Sequence, residues 1–418
     1  MKKSTNNASP FVEAVAEMQG LEGPFSFPEK LLQKIWLRGD FDAMRAVTAD
    51  GRVVHIRHPG RWNLLGGPDF KDARLRLGDA EVTGDIEVHL HAEDWVAHAH
   101  AADEAYDGVV LHVVLFPPVE IFSRGRDGRQ IPVLALLPLL HHDLEEFAAD
   151  EVVEALANRP ASRAIEELSP LAPAELEALL RRHAEMRWRQ KVRFARVRLE
   201  RLGWKEACHQ AALEILGYCF NRAPMLRIAA VWPLPAWEER GEGLADEALA
   251  AERERWSVQG VRPANHPRVR LRQYAAWTRA RPDWPARLEA FAQALPASGV
   301  TLTDASTAEF RRAHGLAKLR ERLATGICDG AIGGTRFDNL VCDGFWPLLA
   351  TRGTDEAAFF ARWFHWPAGD LPPHVVQTLR ALEVFTGRAR PACHGFAQGL
   401  LGWLLARESS AGQNGCRT

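Results

Sequence analysis

The chain has 418 residues, of which 47% are hydrophobic and 25% charged, with fourteen Trp and nineteen Phe, enough apolar area for two or three folded domains and too much for a disordered polypeptide. A formal net charge of -2 argues neither for nor against a nucleic-acid partner, because local patches outweigh the total. No apolar run reaches the roughly 18 residues of a membrane span, and MKKSTNNASPFVEAVAEMQG lacks the apolar core of an export signal, so the expectation is a cytoplasmic protein with no membrane partner.

In chain order, residues 1–24 read as a flexible tail. Pro28 followed by EKLLQKIWLRGDF predicts a first helix, with Leu31, Leu32, Ile35 and Trp36 as its apolar stripe and Gly39 as its stop. From Val53 to Leu137 the period shortens. RVVHIRH, DARLRLG, GDIEVHLHA, DGVVLHVVLF, VEIFSR and RQIPVLALLP read as strands, and Asp127-Gly128 suits a tight turn between the last two. AEDWVAHAHAADEAYDG, between the third and fourth, is long enough for one helix of about three turns.

After Leu139 helical periods dominate, beginning with EEFAADEVVEALA (145–157) and PAELEALLRRHAEMRWRQKVRFARVRLERLG, punctuated by Pro and Gly. Phe345, Trp346, Trp363, Phe364 and Trp366 read as core filling. The six cysteines are widely spaced with no CxxC, so reduced buried thiols are expected. The expected organisation is an α/β domain over 25–145, an α-helical accessory domain over 146–408 and a disordered tail over 409–418.

The chemistry-bearing stretch is GGPDFKDARLRLGDAEVTGDIEVHLHAEDWVAHAH. Asp69 follows a Gly-Gly-Pro turn and opens a strand; Glu87 follows after seventeen intervening residues. Strand alternation puts Asp85, Glu87, His89 and His91 on one face and Ile86, Val88 and Leu90 on the other. Polar groups on a half-buried strand are expensive unless organised, and a hard cation organises carboxylates well. The expected ligands are Asp69, Glu87, His89 and His91 around Mg2+ or Mn2+, with His89 positioned to orient or deprotonate a water. Lys71, on the face of Asp69, is a candidate source of positive charge. The histidines (His89, His91, His98, His100, His112) also leave a Zn2+ site open, although His98 and His100, two apart, share a helical face poorly and His112 reads as a buried hydrogen-bonder.

These residues carry a resemblance. Pro68-Asp69, the spacer and Glu87-x-His89 resemble the core signature of the PD-(D/E)XK nuclease superfamily, with His89 where the pattern has Lys. The resemblance implies a restriction-endonuclease-like mixed sheet flanked by helices, hence an α+β or α/β fold. It also implies catalytic roles for Asp69, Glu87 and His89 and a contribution from Glu29 on the first helix. More broadly, HPG (58–60), GPDF (67–70), GDIEVHLHAEDW (84–95), AYDGVVLHVV (105–114) and RPANHPRVRL (262–271) resemble a bacterial family, the domain of unknown function numbered 2851.

Residues 181–201 hold nine Arg or Lys against two Glu, so Arg187, Arg189, Lys191 and Arg193, with Arg268 and Arg270 further on, are expected to hold phosphate backbones of DNA or RNA. The functional expectation is a metal-dependent phosphodiester hydrolase. The alternatives are a non-catalytic nucleic-acid-binding or protein-interaction module on a degenerate nuclease fold, and an unrelated transition-metal hydrolase using the histidines. A homodimer or protein partner is expected, if anywhere, through the helical domain.

Overall fold

In the computed structural model the described residues are 29–141, 144, 147, 162–217, 221–258, 261–295, 306–353, 355–388 and 390–415. The tail 1–24 and nearly all of the helix expected over 145–157 lie outside them. The chain divides into two compact units, with the change between Ala148 and Ala149.

The first unit is a mixed seven-stranded sheet. Its elements are α1 (Glu29–Arg38), β1 (Val54–His58), β2 (Arg61–Trp62), β3 (Phe70–Leu77), β4 (Ala80–His89), α2 (Asp94–Ala97), β5 (Val109–Val114), β6 (Phe122–Arg124) and β7 (Gln130–Ala135). The strand order is β1-β3-β4-β5-β7-β6, with β2 paired to β3. β3 and β4 are antiparallel, whereas β4–β5 and β5–β7 are parallel. The Asp127-Gly128 turn joins β6 to β7 as an antiparallel pair, with Gly128 at φ +81°. The stripe Leu31, Leu32, Ile35 and Trp36 packs into one core with Phe70, Ile86, Val88, Leu111 and Val113. Ile86 to His89 are all buried, which marks β4 as covered on both faces.

Gly84 is where β4 and the chain entering β5 come closest. A Cβ there would stand 2.3 Å from Val110 Cγ1 and 2.6 Å from the Gly108 carbonyl oxygen, so only glycine lets the parallel pair start. On the other side of β4 the ladder to β3 is irregular between Phe70 and Ala73, and Asp72 sits there at φ +59°.

The second unit is helical among its described residues, built on a long helix, Pro173–Leu216, interrupted at Gly203 (φ 73°, ψ 170°). Trp188, Trp237, Trp277, Trp284, Trp346, Trp363 and Trp366 are fully buried in one core, as expected for the C-terminal aromatics. The segment Leu340–Phe345 is a π-helical turn. The last helix, His394–Gly415, carries helical backbone into the stretch expected to be a disordered tail. No helix of the described residues is long and apolar enough to cross a membrane.

The basic surface expected on 181–201 is corrected by this packing. The long helix is buried on several sides, so Arg187 is only 5% exposed and its Nε donates to Gln398 Oε1 at 3.3 Å. Lys191 pairs with Asp343 at 3.2 Å, Arg189 with Glu185 at 2.5 Å, and Arg193 is half-buried. Arg270 is also 5% exposed and donates to Asn265 and Gln273. Of the six residues expected to carry a phosphate backbone, Arg189 and Arg268 are exposed.

Candidate metal centre

The antiparallel register pairs Phe70 with Ile86, which sets Asp69 directly across from Glu87. The two buried apolar residues fill one face, and the two carboxylates share the other. Each carboxylate takes the opposite strand's amide. The Asp69 N–H donates to Glu87 Oε2 at 3.0 Å, and the Val88 N–H donates to Asp69 Oδ2 at 3.0 Å. These bonds continue the ladder beyond the end of β3 and fix both side chains.

Helix α1 adds two groups off its apolar stripe. Gln33 Nε2 donates to Asp69 Oδ1 at 2.7 Å, and its Oε1 accepts from Trp62 Nε1 at 3.2 Å. Glu29 Oε1 stands 4.0 Å from His89 Nε2, with 37% of the Glu29 side chain exposed.

His89, 1% exposed, is the hub. Its Nε2 lies 3.1 Å from His98 Nδ1, 3.2 Å from His100 Nε2 and 3.4 Å from Glu87 Oε1. His100 Nε2 is also 3.3 Å from Glu87 Oε1. On its other side His89 Nδ1 faces His112 Nε2 at 2.9 Å, and His112 Nδ1 faces Ser123 Oγ at 2.7 Å. Trp95 packs its ring against His100 and His112 and donates from Nε1 to the Arg124 carbonyl. Tyr106 stacks on His100 with 3.8 Å between ring centroids.

The single three-turn helix expected over residues 92–108 does not form. α2 ends at Ala97, Ala99 takes a left-handed backbone (φ 59°), and two short 3-10 turns follow. That reversal is what makes the two-residue spacing work. On a regular helix His98 and His100 would diverge; across the Ala99 turn both rings reach His89. His91, expected as a ligand, is not brought in. β4 ends at His89, so alternation stops there; the exposed His91 ring stacks on Phe116 and the His91 backbone N–H donates to Asp94 Oδ2. Lys71 ion-pairs with Asp85 at 2.8 Å instead of reaching the centre. Asp69, Glu87, His89 and Glu29 are brought together as expected. Gln33, Tyr106 and Ser123 were not singled out in the sequence, and nothing in their spacing marks them.

Burial dominates the electrostatics. It pushes the Glu87 carboxyl up to about 9, with the charge of Asp69 adding to the effect. It pushes Asp69 up to about 6, against the lowering effect of the Val88 and Gln33 hydrogen bonds. Glu29 is raised by burial and by Asp69. His89 is pushed down to about 3 by burial and by the neighbouring imidazoles, His100 is lowered, and His112 is driven well below the usual range. The cluster therefore holds neutral imidazoles beside carboxyls that resist ionising, the arrangement a bound cation would reverse for the acids and use directly in the imidazoles. His89, His98 and His100 present nitrogens that all lie within 4.8 Å of one another.

A family model described as "Protein of unknown function (DUF2851)" matches residues 29–251, just over half of the chain. The chain belongs to this family. The matched region of this DUF2851 member starts at Glu29 and contains every residue of the cluster. Comparison with curated proteins and with solved structures finds no match.

Proposed function

We propose that the N-terminal unit is a cation-dependent phosphodiester hydrolase acting on DNA or RNA. The observation that carries this reading is the cross-strand pair Asp69 and Glu87, with His89 two residues along β4 and Glu29 reaching in from α1. It corresponds to what the PD-(D/E)XK signature implies: one acid at the head of a strand, an E-x-K motif on its antiparallel neighbour, and an acid from the first helix. The parallel β5 beside β4 agrees with the same frame.

A divalent cation bound at this point lowers the pKa of a coordinated water and offsets charge on the phosphoryl oxygens. The remaining work falls to the side chains. Glu87 supplies a carboxylate fixed by the Asp69 amide, and Asp69 adds negative charge that favours a cation. Glu29, the partly exposed acid, is open to the solvent into which a proton can leave. In hydrolysis the water oxygen bonds to phosphorus and the bond from phosphorus to the leaving oxygen breaks. Glu29 takes one proton from the water, and the leaving oxygen takes one from solvent. With Lys71 held by Asp85, the positive charge that the signature draws from lysine would have to be supplied by a bound cation.

The test is cleavage of bis(p-nitrophenyl) phosphate, plasmid DNA and RNA by the full chain with and without chelator, beside Glu87→Gln and Asp69→Asn. Cation-dependent cleavage that drops at least about 100-fold in Glu87→Gln is the expected result. Cleavage indifferent to chelator and to Glu87→Gln, or no cleavage of any phosphodiester with any cation, removes the reading. Cation binding without cleavage would move the unit to the non-catalytic alternative.

A further inference from the structure

We infer that the cation belongs to the first transition row, with zinc as the type, and is held by His89 Nε2, His98 Nδ1 and His100 Nε2, with the Glu87 carboxyl beside His89 and His100 and with His112 and Ser123 as the relay that orients His89. This rests on the reading of the site as a cation centre but not on phosphodiester chemistry.

The argument begins with hydrogen-bond capacity. One ring nitrogen carries either one proton or one lone pair, so it makes one hydrogen bond. His89 Nε2 nevertheless has three polar atoms at 3.1, 3.2 and 3.4 Å. No assignment of tautomers satisfies all three contacts, because whichever neighbour is chosen leaves lone pairs or N–H groups facing each other in a buried space. A cation removes the conflict by taking one lone pair from each group at once.

The spacing then selects the type of cation. Zinc bonds nitrogen at about 2.0–2.1 Å, and the edge of a tetrahedron of that bond length is about 3.3–3.4 Å. The edges His89–His98 and His89–His100 measure 3.1 and 3.2 Å, and all three nitrogens lie within 4.8 Å of one another, while Glu87 Oε1 lies 3.4 and 3.3 Å from the His89 and His100 nitrogens. Three imidazoles with a fourth position left for water suit zinc, and related ions such as cobalt or iron, rather than magnesium or calcium, which prefer all-oxygen shells.

The outer contacts agree with this use of His89. With Nε2 donating its lone pair to the ion, the His89 proton sits on Nδ1 and is donated to His112 Nε2 at 2.9 Å. His112 then carries its proton on Nδ1 and donates it to Ser123 Oγ at 2.7 Å. Every nitrogen of the two rings is satisfied, and the tautomer of the inner ring is set from outside, as in other metal-ligating histidines. His112, 0% exposed in a strand of valines and leucine, has a partner on each side only in this chain of contacts.

The probe is Co2+ and Zn2+ added to chelator-stripped full-length protein. The expected results are one tightly bound equivalent and the intense visible absorption of four-coordinate cobalt. His98→Ala, at an exposed position, and His100→Ala each weaken cobalt binding by about 100-fold or more. His112→Gln weakens it by about 10–100-fold while leaving the absorption bands of four-coordinate cobalt in place, and His91→Ala changes nothing. Weak six-coordinate absorption, binding indifferent to both His98→Ala and His100→Ala, or no tight cobalt or zinc binding, overturns the inference. Tight four-coordinate binding by a protein that cleaves no phosphodiester sustains this inference while removing the hydrolase reading. Magnesium-dependent cleavage unaffected by His98→Ala and His100→Ala does the reverse.

Discussion

Replacing Glu87 by Gln separates the price of the centre from its use. In the metal-free folded protein the Glu87 carboxyl is raised from its ordinary 4.5 to about 9, chiefly by burial. An acid raised on folding holds a proton that the unfolded chain gives up, so its contribution to stability falls as pH rises from 4.5 toward 9. At about 1.4 kcal/mol per pH unit, the interval between 4.5 and neutrality makes Glu87 unfavourable to folding by about 3 kcal/mol at pH 7. Gln keeps an oxygen for the Asp69 N–H and cannot ionise. Glu87→Gln is therefore expected to stabilise the metal-free protein by about 2–3 kcal/mol at pH 7, by more at pH 8, and by nothing near pH 4.5, while abolishing the rise in melting temperature caused by added cation. Urea unfolding in the presence of chelator, at several pH values and followed through amide exchange in β4, measures the effect. A loss of stability that is the same at pH 5 and pH 8 would refute the argument, because it would mean that the carboxyl is neither desolvated nor kept protonated by its surroundings.

Gly84→Ala is expected to cost at least about 1–3 kcal/mol and to speed amide exchange in β4 and β5, since its Cβ would lie 2.3 Å from Val110 Cγ1; unchanged exchange would show that the strands part without cost. Glu214→Ala should cost about 3–5 kcal/mol in chemical denaturation, because it strands Arg198, paired at 2.6 Å with both side chains buried, and removes a partner of Arg222. In the helical unit burial lowers His209 and His394 to about 4 and His365 to about 3. These folded imidazoles bind protons less readily than the unfolded chain, so stability is whole above about pH 6.5 and drains away below it, by up to about 1.4 kcal/mol per pH unit for each. His394→Leu should accordingly move the acid unfolding midpoint, followed by circular dichroism, to lower pH, and an unmoved midpoint would refute the assignment.

The sequence by itself determined the elements whose period is local. The α1 stripe, six of the strands and the Asp127-Gly128 hairpin follow from side-chain spacing and turn chemistry, which act over a few residues. The meeting of Asp69 with Glu87 was legible for the same reason, since alternation fixes the face and the antiparallel register does the rest. Tertiary structure alone decided the histidines. His98 and His100 converge because one non-glycine residue, Ala99, is held in a left-handed turn, and His91 drops out because β4 stops two residues before it. The basic segment shows the same limit. Composition counts charges, but whether Arg187 and Arg270 meet solvent or a buried partner depends on which helices pack around them. Burial is a property of the whole assembly, and the shifted protonation that gives this site its character is a consequence of burial.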